Sequence, residues 1–180
     1  MIEKTLHEKA VYTGKIIRLK ELKVSLPDGS KTTREVIDHN PAVVILPFKT
    51  PDTVCLIKQF RISVDLVLLE VPAGLIECNE DPLKAASREL REETGFLADQ
   101  FYACGQSYPT PGFCNELLHF YIATGLVEGQ TELDQDEFIE LYELSLSEMK
   151  DKIDSGEIKD TKTILSYFYL QDALARGVIV

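Results

Sequence analysis

The sequence predicts an α+β fold, with helices packed over a mixed sheet and a small antiparallel β subdomain ahead of it. Three observations carry this expectation. Short apolar or alternating segments dominate the middle of the chain, where strands are expected. One amphipathic helix with a clear start and stop interrupts them, and a second helical stretch closes the chain. Alternation of this kind, without a regular βαβ repeat, belongs to the mixed class.

Taken in order, residues 1–40 read as short strands. Ala10–Ile17 leads into Glu21–Leu26, Pro27-Asp28-Gly29 makes a turn, and Thr32–Asp38 returns as a hairpin. Asn40-Pro41 punctuates the chain, placing a boundary between a 1–40 subdomain and a 41–180 domain. Ala42–Phe48 (AVVILPF) is apolar enough for a strand covered on both faces. Thr53–Gln59 and Leu66–Val71 are further strands, and Pro72-Ala73-Gly74 opens a loop. Phe101–Cys104 and Asn115–Thr124 read as strands flanking the loop SYPTPGFCNE. Glu128–Asp136 is an acidic loop and Glu137–Leu144 alternates like a strand. Ser145 and Glu148 make a capping box for a short helix ending near Gly156. The last helix covers Lys162–Arg176, closed by Gly177.

The chain of 180 residues is long enough for one well-buried core. No apolar run approaches the ~20 residues of a membrane span, and the charged start MIEKTLHEKA is unlike a signal peptide, so a cytoplasmic protein is expected. Cys55, Cys78, Cys104 and Cys114 form no C-x-x-C pair and read as reduced thiols. His7, His39 and His119 are equally dispersed. A net charge of −11 argues against a nucleic-acid partner. An acidic protein still acts on phosphate esters when divalent cations bridge the two.

The chemistry concentrates in Gly74–Phe96, GLIECNEDPLKAASRELREETGF. Asp81 reads as an N-cap followed by Pro82 at the first helical position, and Gly95 as the left-handed stop. Leu83, Ala86 and Leu90 form the expected apolar stripe. Glu89, Glu92 and Glu93 are related by i, i+3 and i+4 and converge on one face. They lie in the last turns, where the macrodipole disfavours negative charge by roughly 0.3–1 kcal/mol each. Three carboxylates there point to a bound cation, and hard oxygen donors favour Mg²⁺ or Mn²⁺ over Zn²⁺. The competing reading is a solvated charged face, with Arg88 and Glu92 as an i,i+4 pair.

The spacing weighs against that alternative. Gly74, Glu80, Arg88-Glu89-Leu90, Glu92-Glu93 and Gly95-Phe96 together resemble the Nudix box at every fixed position. The resemblance implies a Nudix fold, an α/β/α sandwich around a mixed sheet, over residues 41–180. It implies water attack at phosphorus on a nucleoside diphosphate linked to another group, with two or more Mg²⁺ ions. Glu93, Glu89 and Glu92 would bind metal with the main-chain carbonyl of Ala73, Arg88 would orient a glutamate, and Glu80 would support the site.

Outside the box, KQFR (Lys58–Arg61), EVPAGLIE (Glu70–Glu77) and YPTPGFCNE, with Pro111 and Gly112, are similar to the ADP-ribose pyrophosphatase branch. That similarity implies hydrolysis to AMP and ribose 5-phosphate. It implies a phosphate contact from Arg61, and an Arg34 that reaches a neighbour's site in a homodimer with an exchanged N-terminal hairpin. The catalytic base would be Glu137 in the acidic loop, with Asp136 or Glu132 as substitutes. Rival readings are another nucleoside diphosphate sugar, of GDP-mannose or UDP-glucose type, and a domain that senses ADP-ribose without cleaving it. Some members stack adenine on an aromatic just after the first-strand glycine. Here Gly14-Lys15-Ile16 stands there and Tyr12 precedes it, which leaves the grip on the base open.

Overall fold

A computed structural model describes residues 1–133 and 137–179, which form two compact units, Met1–Pro41 with Ser107–Leu117 and Ala42–Gln106 with Leu118–Val180. The first unit holds β1 (Lys4–Thr13), β2 (Ile17–Ser25) and β3 (Lys31–His39) in an antiparallel meander. The expected short strands and hairpin are present as a three-stranded sheet, but Ala10–Ile17 is not one strand. Its middle is the β1–β2 turn, where the N–H of Gly14 donates to the carbonyl of Ile17 at 2.9 Å. The predicted turn at Pro27-Asp28-Gly29 is present: Gly29 has φ +85°, and Asp28 accepts from the Ser30 N–H at 2.9 Å. The loop Ser107–Leu117 belongs to this unit through its backbone. Ile37 donates to Phe113 at 2.7 Å and accepts from Asn115 at 3.2 Å.

The second unit is built on a seven-stranded mixed sheet. Its strands are β4 (Ala42–Thr50), β5 (Thr53–Arg61), β6 (Leu66–Glu70), β7 (Ala73–Leu75), β8 (Phe96–Ser107), β9 (Leu118–Glu128) and β10 (Ile139–Ser145). The main path runs β10-β5-β4-β9-β8, with β6 on β5 and β7 on β4. β4 and β9 are parallel, while β4 is antiparallel to β5 and β7, and β5 to β6 and β10. The helices are α1 (Pro82–Thr94), α2 (Leu146–Asp154) and α3 (Thr161–Ala175).

Ala42–Phe48 is buried throughout, as a continuous apolar run requires of a central strand. Alternate residues feed two cores. Val44, Leu46 and Phe48 join Leu56, Phe120, Met149 and Leu170 on the α2–α3 side, and Val43 and Ile45 join Ala85, Ala86 and Leu90 of α1. β4 and β5 pair at Phe48–Val54 and then diverge. The opening between them takes β6 against β5 and β7 against β4. Pro72-Ala73-Gly74 is thus not wholly a loop: the Ile45 N–H donates to the Pro72 carbonyl at 2.9 Å, and Ala73 pairs with Val44.

The remaining elements follow the sequence with shifted ends. β8 is far longer than Phe101–Cys104, and β9 begins at Leu118 rather than Asn115 because Asn115 is spent on β3, accepting from the His39 N–H at 2.8 Å. Asp81 caps α1 by accepting from the N–H of Leu83 at 3.0 Å, and Gly95 ends it at φ +75°. The Ser145–Glu148 capping box is present. One stripe residue differs: Leu83 is 46% exposed, whereas Ala85, Ala86 and Leu90 are fully buried. Leu83 lies in the first turn, and the buried face runs through Ala86 and Leu90 to Glu93. Leu90→Ala should therefore cost about 2–5 kcal/mol of stability, and Leu83→Ala less than about 0.5 kcal/mol, in urea titrations. Equal losses would contradict this orientation of α1.

Candidate active site

The helix α1 presents its glutamates to β7, which lies on β4 beyond the point where β4 leaves β5. Arg88 organises them. Its Nε and Nη2 grip the two carboxylate oxygens of Glu80, each at 2.9 Å. Nη1 donates to Glu89 at 2.6 Å and to Glu92 at 2.9 Å, and Nη2 also reaches the Leu75 carbonyl at 3.0 Å. Every one of the five N–H donors of a guanidinium is used. Glu80 in turn accepts from the Glu77 N–H at 2.9 Å, which closes the loop ahead of the helix. The i,i+4 pair with Glu92 is real, but it is one strut of a larger frame.

Gly74 has a specific reason to be glycine. A Cβ there would lie 2.0 Å from Cδ of Glu89, so only a bare backbone admits that carboxylate. Glu93 is 6% exposed and accepts from the Ala73 N–H at 3.0 Å, which joins β7 to the end of α1. Burial pushes its carboxyl up to about 8, with the charges of Glu89 and Glu137 adding to the rise and the Ala73 N–H and Arg61 opposing it. Burial likewise raises Glu89, opposed by Arg88 and reinforced by Glu92 and Glu137.

The acidic-loop candidates separate. Glu137 is close enough for its charge to be felt by both Glu89 and Glu93. Glu132 is instead exposed and paired with Arg91 at 2.9 Å, its N–H held by the Glu92 carbonyl at 3.1 Å. Asp136 lies outside the described residues.

Arg61, at the end of β5, forks onto Glu70, with Nε to Oε1 at 2.8 Å and Nη2 to Oε2 at 2.7 Å. Lys162 reaches Glu70 from α3 at 2.5 Å. Sequence reasoning missed Glu70 and Lys162 as parts of this site; the nearest signal was the acidic residue opening EVPAGLIE. Arg34 belongs to the first unit, where it pairs with Glu3 at 2.8 Å rather than with Glu35 or Asp38. Pro111 and Gly112 are also in that unit and line a cavity of about 270 Å³ with Tyr108, Phe113 and Val36. The four cysteines are free thiols.

Residues 38–165 match the NUDIX domain profile, most of the chain. The chain belongs to the Nudix hydrolase family. Residues 3–37 match the profile described as the nucleoside diphosphate sugar hydrolase N-terminal domain. An ADP-ribose pyrophosphatase of Bacillus subtilis is 37% identical over 94% of this chain and 92% of its own length. A methanol dehydrogenase activator of Bacillus methanolicus is 36% identical over the same shares, 94% and 92%. A GDP-mannose pyrophosphatase of Salmonella typhimurium is 36% identical over 77% of each chain. Among solved structures, an ADP compounds hydrolase superposes with a TM-score of 0.87 over 99% of this chain and 98% of that one. At 21% identity this likeness speaks for the fold.

Nudix hydrolases generally use divalent metal ions, and the residues here fit one. The donors are carboxylate oxygens, and a buried carboxylate with a raised affinity for protons is one that a cation would hold in its ionised form. Among the described residues no three acidic, His or Cys side chains already form a cage. Mg²⁺ needs none, because it is normally held by one or two carboxylates with water and substrate phosphates.

The raised Glu93 carboxyl fixes a sign. Between its unfolded value near 4.5 and its folded value of about 8, the folded chain holds the extra proton. Stability of the metal-free protein should therefore fall as pH rises across that window, by up to about 1.4 kcal/mol per pH unit from this group. Glu93→Gln should remove the effect, melting higher than wild type at pH 8 in chelator and nearly alongside it at pH 5. An identical difference at both pH values would refute the assignment.

Proposed function

We propose that this chain hydrolyses ADP-ribose to AMP and ribose 5-phosphate, using Mg²⁺ or, in its place, Mn²⁺, with two or more ions in the working site. The observation that carries the reading is the buried Glu93, which accepts from the Ala73 N–H, beside the half-buried Glu89, which Arg88 holds against Gly74. The similarity to an ADP-ribose pyrophosphatase over 94% of the chain supports the choice of substrate.

Glu93 and Glu89 would hold metal, with Glu92 beside them and the Ala73 carbonyl as a further donor. The bound ions would supply charge stabilisation at the phosphate oxygens and acidify water. Arg88 is spent entirely on protein groups, so its part is to orient Glu80, Glu89 and Glu92. Glu137 is assigned the general base, because its charge reaches both Glu89 and Glu93. Arg61 would receive a phosphate oxygen, and Pro111 and Gly112 would contact substrate.

Other nucleoside diphosphate sugars, such as GDP-mannose or UDP-glucose, are the second reading, favoured by the similarity to a GDP-mannose pyrophosphatase. A sensing domain that does not cleave its ligand is disfavoured by the complete set of box glutamates. We assign a cytoplasmic homodimer, with the N-terminal sheet exchanged and Arg34 in the neighbour's site. Leu6, Val11 and Tyr12 stand exposed on β1, apolar side chains that a second copy would cover.

Incubation with ADP-ribose and Mg²⁺ should release AMP. Turnover of GDP-mannose or UDP-glucose without AMP release from ADP-ribose would move the substrate to the second reading. Glu137→Gln should lower kcat by roughly 10²–10⁴-fold with little change in KM, as loss of a general base does. Unchanged turnover would move that role elsewhere.

A further inference from the structure

Glu70 ends β6 just before the segment that carries Ala73, and it is 1% exposed. A carboxylate that deep is tolerated only when paired. Arg61 occupies both of its oxygens through one edge of the guanidinium, and Lys162 adds a second cation on Oε2. Lys162 is held by Asp160, which accepts from it at 2.9 Å and caps α3 through the Thr163 N–H at 3.0 Å. Thr163 returns the connection by accepting from the Val71 N–H at 2.8 Å. The first turn of α3 is therefore bolted to Glu70 and to the residue after it.

A fork-on-fork contact fixes the plane of a guanidinium as well as its position. The remaining nitrogen, Nη1, makes no hydrogen bond among the described residues, and the Arg61 side chain keeps 38% of its surface exposed. Near it stands the buried carboxylate of Glu93, whose charge acts on Arg61 and which an untethered arginine would seize. We infer that Glu70, braced by Lys162, is a positioning residue that keeps Arg61 off the metal-binding glutamates and presents its free edge to a phosphate oxygen of the diphosphate. The inference rests on the hydrolase reading above.

A double-mutant cycle on ADP-ribose hydrolysis tests it, with melting temperatures recorded beside kcat and KM. Arg61→Lys and Glu70→Gln should each lower kcat/KM by roughly 10²-fold, the scale of a misplaced binding group. In the Arg61→Lys background, Glu70→Gln should add no more than about twofold, because both changes break the same link. Losses that multiply, or a Glu70→Gln enzyme with wild-type kcat/KM, would overturn the role. If Glu70→Gln fails to fold, Lys162→Met should show the same non-additivity with Arg61→Lys, and Lys162→Arg should restore activity; a fully active Lys162→Met would overturn it. A wild type inert on every nucleoside diphosphate sugar would instead bring down the hydrolase reading and this role with it.

Discussion

The fan of hydrogen bonds from Arg88 is the interaction on which the rest of the site depends. A helix that carries glutamates at i, i+3 and i+4 in its final turns is electrostatically strained, by like charges and by the macrodipole. One guanidinium relieves part of that strain by binding Glu89 and Glu92 together, while its other edge clamps Glu80 and the Leu75 carbonyl. Loop and helix thus become one rigid body. Lysine would not serve, because a point charge with three donors cannot hold a carboxylate by its fork and reach three other oxygens.

The sheet supplies what the helix cannot. Because β4 and β5 pair briefly and then separate, β6 and β7 enter between them, and the connection bearing Val71 and Pro72 is buried rather than looped into solvent. That brings the Ala73 N–H to Glu93 and the bare backbone of Gly74 to Glu89. The same divergence places Glu70 where α3 and the end of β5 both reach it. Two sets of acidic groups result, with opposite character. Glu70 is buried and neutralised by Arg61 and Lys162, which hold its carboxyl below the ordinary range against the cost of burial. Glu93 is buried and makes no ion pair among the described residues, so burial prevails and its carboxyl rises. Structure is maintained at the first, and a charge deficit is kept at the second.

Much of this was legible locally. Asp81, Pro82 and Gly95 each act through backbone geometry within a turn, so the limits of α1 could be read to the residue. The unbroken apolar run at Ala42–Phe48 reads as a strand covered on both faces, and it is buried throughout as β4. Strand limits were less legible where partners set them. β8 continues to Ser107, although Gln100, Gly105 and Gln106 interrupt any alternation, and Asn115 leaves β9 because β3 claims it. Leu83 shows the limit of periodicity: an apolar residue in the first turn of a helix need not find a core to face.

The sequence by itself determined the helix, the convergence of three glutamates and, through the spacing of the box, the family and its bond chemistry. These are consequences of i, i+3 and i+4 geometry and of caps, which need no distant residue. Only the tertiary structure decided which glutamates are buried, why Gly74 must lack a side chain, that Arg88 is spent on protein, and that Glu70 and Lys162 stand behind Arg61. Each of those depends on residues far apart in the chain meeting where β4 and β5 part, and burial, which sets the proton affinity of Glu93, exists only once they have met.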